Sequence, residues 1–282
     1  MKNKFVLEAK RLVNLGDKFI KKSGTKNFHT FAHDQLAATN LPKLFDYKAL
    51  VETSFSKEFN HHQNFSSLEF SDLPITIARG KDCFIDVYFW RRRPTVIHNH
   101  HFSGAFQCLQ GLNVDSEFKF KAQKKLTVLH TLGELTLHRT QELRPGDIMA
   151  INVLDKFIHQ NHHHADLTIN LCFRTPELSN KNLSNYLFSG LKFEKDPLAI
   201  ARAQRLYAFT RIEDFNAKKI NITMTDAFCF LTQFFFSNSQ HSRLLALKKI
   251  LDQKIKKEFG LSLTQLLVAH EEELDKIQSF YE

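Results

Sequence analysis

The sequence predicts a mostly β core, a small jelly-roll barrel of the double-stranded β-helix kind, flanked by N-terminal and C-terminal helices. Three observations carry this expectation. The apolar period is helical at both ends and close to two in the middle; the middle strands are short and separated by close turn signals; and histidines two residues apart sit within that middle part.

From Phe5 to about Ile20, Val6, Ala9, Leu12, Val13 and Phe19 recur at near-helical spacing, and a second helical stretch is expected from about His33 to Phe59. His61-His62-Gln63-Asn64 and Ser66-Ser67 then read as a loop. Strands follow at about Phe84 to Trp90, Val114 to Lys121, Leu126 to Thr131, Leu135 to Gln141, Ile148 to Val153 and Leu167 to Arg174. The alternation is clearest where Val114, Ser116, Phe118 and Phe120 interleave with Asp115, Glu117, Lys119 and Lys121, the pattern of a half-buried strand. After Pro176 the period is helical again, with helices expected at about 197–209, 226–236, 241–259 and 262–280. The organisation is therefore a helical layer over 1–70, a barrel over 71–176 and a helical extension over 177–282. The apolar stripes of that extension suit packing on the barrel or a homodimer interface.

At 43% hydrophobic and 24% charged residues, the composition excludes a disordered or fibrous chain. The net charge of +9 favours anionic partners. Its lysines and arginines are scattered in short groups, without a helix-turn-helix, zinc-finger or RNA-binding signature, so a small anionic molecule is the expected partner and nucleic acid is not. No stretch is long and apolar enough for a membrane span. Cys83, Cys108, Cys172 and Cys229 lie apart in apolar runs, as reduced thiols of a cytoplasmic protein would. No GxSxG, P-loop, GxGxxG or HExxH motif is present.

The chemistry is concentrated in Thr95 to Gly111. If His98 and His100 share a strand, their imidazoles point to one face and two neutral nitrogen donors stand within reach of one metal ion. Leu143-Arg144-Pro145-Gly146-Asp147 and then Phe157-Ile158-His159 follow, and a returning strand there would supply a third donor. His163, in the run His162-His163-His164, is the alternative third ligand. The order HxH, a strand ending in glycine, PGD and a downstream histidine resembles the two motifs of the cupin superfamily, over roughly Phe84 to Pro176.

Where a glutamate ligand would stand in many cupins, this chain has Gly104 or Ala105. Ile97-His98-Asn99-His100 with Leu109-Gln110-Gly111 is similar to the thiol dioxygenase branch, the relatives of cysteine dioxygenase. That resemblance implies Fe(II) on His98, His100 and His159, with positions left for substrate and dioxygen. It also implies an arginine for the substrate carboxylate, here Arg79, with Arg92, Arg93 and Arg174 in competition. The positions of that family's cysteine–tyrosine cross-link are Gly104 and Phe173, so no cross-link is expected. Tyr88 and Gln107 are candidate polar neighbours of the ion and its substrate. Three imidazoles also suit Zn, Ni or Mn. The leading expectation is a mononuclear metal-dependent oxygenase acting on a small anion. A non-catalytic ligand-sensing cupin and a zinc-dependent isomerase or hydrolase are the alternatives.

Overall fold

The structure, a computed structural model, describes residues 3–56, 59, 63, 71–91, 94–177, 183–188 and 190–194, with isolated positions beyond. The loop histidines 61 and 62, Arg92 and Arg93, and nearly all of the four expected C-terminal helices lie outside the described residues. Two compact units divide the chain, residues 1–119 with 137–181, and residues 120–136 with 182–282.

In the first unit, α1 (Lys4–Ser23) starts where the Asn3 side chain accepts from the amides of Phe5 and Val6. Its buried stripe of Phe5, Val6, Ala9, Leu12, Val13 and Gly16 is the face the spacing predicts. The expected second helix begins earlier, at Phe28, and is three helices: α2 (Phe28–Ala37), α3 (Leu41–Leu44) and α4 (Tyr47–Ser54). Pro42 opens α3 and the Asp46 carboxylate caps α4, so local start signals cut one apolar run into pieces.

One antiparallel sheet has the order β1 (Leu73–Arg79), β2 (Phe84–Trp90), β9 (Thr168–Arg174), β4 (Gly104–Gln110), β7 (Ile148–Ile151). Residues of β2 are buried on both faces, and the alternation divides them. Ile85, Val87 and Phe89 join the core under the helices, whereas Tyr88 and Trp90 face a second apolar cluster with Phe102, Phe106, Met149, Ile151, Phe157 and Cys172. Helix α1 approaches closely at Gly16, where a Cβ would run into the Cys83 sulfur at 2.5 Å and the Phe173 ring at 2.9 Å. The carboxylate of Asp17, the next residue, accepts from the Lys81 and Asp82 amides and so fixes the β1–β2 turn. Strand β1 is one of the two edge strands of this sheet, β7 being the other. On β1 the Gln63 amide accepts from the Thr76 N–H and donates to the Thr76 carbonyl, both at 3.0 Å.

Facing this sheet, β3 (Ile97–Asn99) pairs with β8 (Ile158–His163), and β8 pairs with β5 (Asn113–Lys125), beside which lies β6 (His130–Leu143). Between them the two sheets enclose the barrel interior, because one cavity is lined from β2, β4, β7 and β9 on one side and from β3 and β8 on the other. The architecture is the predicted mostly β barrel with antiparallel sheets and N-terminal helices.

The second unit contains the far end of the β5–β6 hairpin, with β10 (Ser184–Tyr186) and β11 (Leu191–Glu194) paired to each other and β11 paired to β6. The strand expected over 126–131 is mostly turn. The amides of Leu126 and Thr127 bond to the His130 carbonyl, and the Thr127 hydroxyl accepts from the amides of Leu129 and His130. The two segments expected at 126–131 and 135–141 are thus one turn and one long strand, because Gly133 continues the ladder. No helix among the described residues is long and apolar enough to cross a membrane.

Candidate metal centre

In antiparallel strands, residues directly opposite each other project to the same face. His98 is opposite His159, and along β8 and β5 His159, Asn161 and His163 oppose Glu117, Asp115 and Asn113. All of these side chains therefore share the face on which His98 lines the cavity. This settles which face of β5 is inside near the site. The side carrying Asp115 is turned into the barrel and Asp115 is fully buried, so polarity in this alternation marks the interior rather than solvent.

His98, His100 and His159 converge, all buried, with one ligand nitrogen from each lying within 4.8 Å of the others. Ring centroids are 4.7 Å apart for His98–His100 and His98–His159 and 5.0 Å for His100–His159. Two hydrogen bonds fix which nitrogens face inward. His98 Nδ1 donates to the Val96 carbonyl at 2.7 Å, and His159 Nδ1 donates to Asp115 Oδ2 at 2.7 Å. A carbonyl and a carboxylate accept, so in each neutral ring the lone pair is left on Nε2. His100 Nε2 and His159 Nε2 stand 2.9 Å apart. Donors about 2.1 Å from one ion are separated by about 3.0 Å at a right angle and about 3.4 Å at the tetrahedral angle, so this pair has the spacing of two ligands of one ion.

Protonation favours the same role. Burial drives the His100 pKa well below its ordinary value, and the neighbouring His98, His159 and Arg174 drive it further, so His100 is neutral and able to ligate at neutral pH. Burial pushes the Asp115 carboxyl up while His159 pulls it down. A buried carboxylate behind a histidine orients the ring and raises its basicity.

The two motif segments are tied together beside the site. Asn99 Nδ2 donates to Asp155 Oδ1 at 2.8 Å and the Leu154 N–H bonds to the His100 carbonyl at 2.7 Å. These bonds hold the 3-10 turn Leu154–Lys156, from which Phe157 and His159 follow. Leu154 has a φ of 55°, the only positive value outside glycine among the described residues, so the backbone is strained where it is tethered.

The cavity measures about 40 Å³, and Tyr88, Trp90, Phe102 and Phe106 form its aromatic lining. Tyr88 lies on it, with its phenol donating to Asp86 Oδ2 at 2.9 Å. His163 also lines it but is not one of the converging three. Its Nδ1 is 2.6 Å from Asn113 Oδ1 and its ring stacks on Trp90 at 4.5 Å. Gln107 belongs to the opposite face of β4 from Phe106 and donates to the Gly146 carbonyl, away from the cavity.

Neither described arginine candidate is part of the cavity lining. Arg79 ends β1 with its guanidinium over Phe84, and lines a separate cleft of about 220 Å³ with Lys10 and Asn14. Arg174 is buried between the rings of Phe84 and Phe102 and bonds to Asp86 Oδ2 at 3.3 Å. Burial works against its charge, but Tyr88 and Asp86 outweigh burial and raise its pKa, so the cation is already balanced.

Gly104 has no room for a side chain, since a Cβ there would collide with the Phe173 carbonyl oxygen. Phe173 packs against Phe28 and Phe31 under the helices. A cross-link between these positions is thus sterically excluded. All four cysteines are free and buried, and burial pushes the thiols of Cys108 and Cys172 up to about 12, which leaves them unreactive. Asp115 and Asn161 are the site residues that sequence reasoning did not single out. Once His98 and His159 were placed inward, strand pairing was the signal that would have brought them in.

No family model matches the chain, and no curated protein matches it. Among solved structures, a cupin superfamily protein from Desulfitobacterium hafniense is similar at 12% identity over 37% of this chain and 77% of its own, with a TM-score of 0.26. Hydroquinone 1,2-dioxygenase PnpCD is similar at 8% identity over 36% of this chain and 62% of its own, with a TM-score of 0.29. A structure of the DMSP lyases RdDddP and RnDddQII is similar at 10% identity over 64% of this chain and 94% of its own, with a TM-score of 0.34. Likenesses at this level carry no argument about the chemistry of this chain.

Proposed function

We propose that the barrel is a mononuclear metal centre of cupin type, with a divalent ion, Fe(II) foremost, on His98, His100 and His159, and that it acts as an oxygenase on a small anionic substrate. One observation carries this reading: three buried imidazoles converge on a small aromatic-lined cavity, two of them with Nε2 fixed as the lone-pair nitrogen. A bound divalent ion supplies a Lewis-acidic, and as iron a redox-active, centre with open positions.

The chain's own residues set the rest. Asp115 and the Val96 carbonyl hold two rings in the ligating tautomer. Tyr88, Trp90, Phe102 and Phe106 exclude bulk water. Three neutral ligands leave the ion's positive charge intact, apart from Asp115 behind His159. With Arg174 committed to Asp86 and Arg79 outside the cavity, that charge is the one toward which an anion is drawn. The absence of a carboxylate from the converging set, among the described residues, agrees with the thiol dioxygenase branch that the motif resembles.

The test is elemental analysis of protein purified without chelator, beside His98→Ala, followed by oxygen uptake with short thiol acids. About one iron per chain, lost in the variant and accompanied by substrate-dependent oxygen uptake, is the expected result. Protein that takes up no Fe(II), Zn(II) or Ni(II) overturns the metal centre. Stoichiometric metal without oxygen uptake overturns the oxygenase and leaves a binding cup.

A further inference from the structure

We infer that Asn161 is a specificity-determining residue that selects substrates carrying a hydrogen-bond donor beside the ligating group, the class of short hydroxy or amino carboxylates. The inference rests on the metal-centre reading. Asn161 is only 5% exposed, lines the cavity and opposes Asp115 across the β5–β8 ladder. Its backbone is fully engaged, since the Asn161 N–H donates to Thr95 Oγ1 and the Asn161 carbonyl accepts from the Thr95 N–H. Its side chain is different: Oδ1 is buried without a hydrogen-bond partner. A buried amide oxygen left unsatisfied is costly, and a cavity wall is where a ligand removes that cost.

Position defines the ligand class. Asn161 and His159 are two residues apart on one strand, so their side chains rise from the same face about 7 Å apart. A group hydrogen-bonded to Asn161 thus stands about three bonds from an atom ligated beside His159, the spacing of a carboxylate oxygen and an α-hydroxyl or α-amino group. The cavity is small, about 40 Å³, which favours a short carbon chain. Thr95 and His163 also line the cavity beside Asn161, and Asn170, from β9 on the facing sheet, accepts a hydrogen bond from Asn113 at 3.0 Å.

The experiment uses the full chain loaded with Co(II), whose visible spectrum reports ligand binding without turnover, titrated with acetate and with glycolate. Glycolate is expected to bind about fivefold to tenfold tighter, the ratio of one added hydrogen bond. In Asn161→Ala and Asn161→Leu this preference falls to about one. Equal affinities in the wild-type protein overturn the inference and leave the metal centre standing. An equal loss for both anions in the variants also overturns it, because it assigns Asn161 to support of Asp115. Failure of the wild-type chain to take up Co(II) removes the metal centre, and the inference with it.

Discussion

The two walls of the barrel interior are built on opposite principles. The wall from β2, β4, β7 and β9 presents Tyr88, Trp90, Phe106, Ile151 and Cys172, with Asn170 bonded across to Asn113, and where it is charged, at Asp86 and Arg174, the charges are paired with each other. The wall from β3, β5 and β8 presents His98, His159, Asn161, His163, Asp115 and Asn113, polar groups at almost every inward position. A barrel tolerates this because the two kinds of burial are accounted for differently. Apolar groups need only contact, whereas each buried polar group needs a partner of the right geometry. The apolar wall stabilises, and the polar wall is organised around whatever its imidazoles hold.

The contrast can be broken from either side. The largest effect is expected on the apolar wall, at the Asp86–Arg174 ion pair. Asp86→Ala takes from the buried Arg174 guanidinium its buried carboxylate partner, leaving it the half-exposed Glu177 at 3.6 Å, strips the Thr76 and Tyr88 hydroxyls of their acceptor, and is expected to cost about 3–5 kcal/mol in urea unfolding. Replacement of the pair by two apolar residues of similar volume, Asp86→Leu with Arg174→Met, should recover most of that loss.

On the polar wall, Asp115→Asn keeps the shape and removes the charge behind His159. Metal affinity, measured by chelator competition, is expected to fall about 10-fold to 100-fold, with a much smaller change in the stability of the metal-free protein. A loss of stability as large as that of Asp86→Ala would mean that this wall, too, is a packing device.

The smallest effect concerns a buried histidine that belongs to no site. In the second unit His130 is fully buried against Phe193 and Phe228, with Nδ1 2.8 Å from the Thr127 hydroxyl, and burial lowers its pKa to about 4. An unfolded chain takes up this proton near pH 6.5 and the folded one only near pH 4, so stability is highest above pH 6.5 and declines as pH falls between those values. At pH 5 the decline attributable to His130 is about 2 kcal/mol. Urea titrations of the wild type and His130→Gln at pH 7.5 and pH 5 read it as the part of the acid loss that the variant lacks.

How much was legible in the sequence follows the same division. Strand β2 was read within its exact limits because its run of apolar and aromatic residues is bounded by turn residues. His98, His100 and His159 were brought forward by spacing and are brought together by the fold. Asp115 was not, because alternation tells that a strand has two faces and not which one is inside. Only the pairing of His159 with Glu117 and of Asn161 with Asp115 decides that, and such pairing is a long-range fact. The arginines were left in competition for a related reason. A guanidinium fork suits any carboxylate, and no local pattern shows that the carboxylate meeting Arg174 is Asp86, 88 residues earlier in the chain. The break of one apolar run into α2, α3 and α4 was visible in Pro42 and Asp46, whose local signals outrank the overall period.

The bond between Gln63 and Thr76 has a consequence for the protein in concentrated solution. An edge strand normally exposes a row of amides and carbonyls that a strand from another molecule can extend. At Thr76 both groups are already occupied by a single primary amide, and the ladder to β2 shifts register between Thr76 and Ala78. One glutamine side chain and one irregularity thus place a stop in the middle of β1, where pairing with a strand of another molecule would otherwise run through.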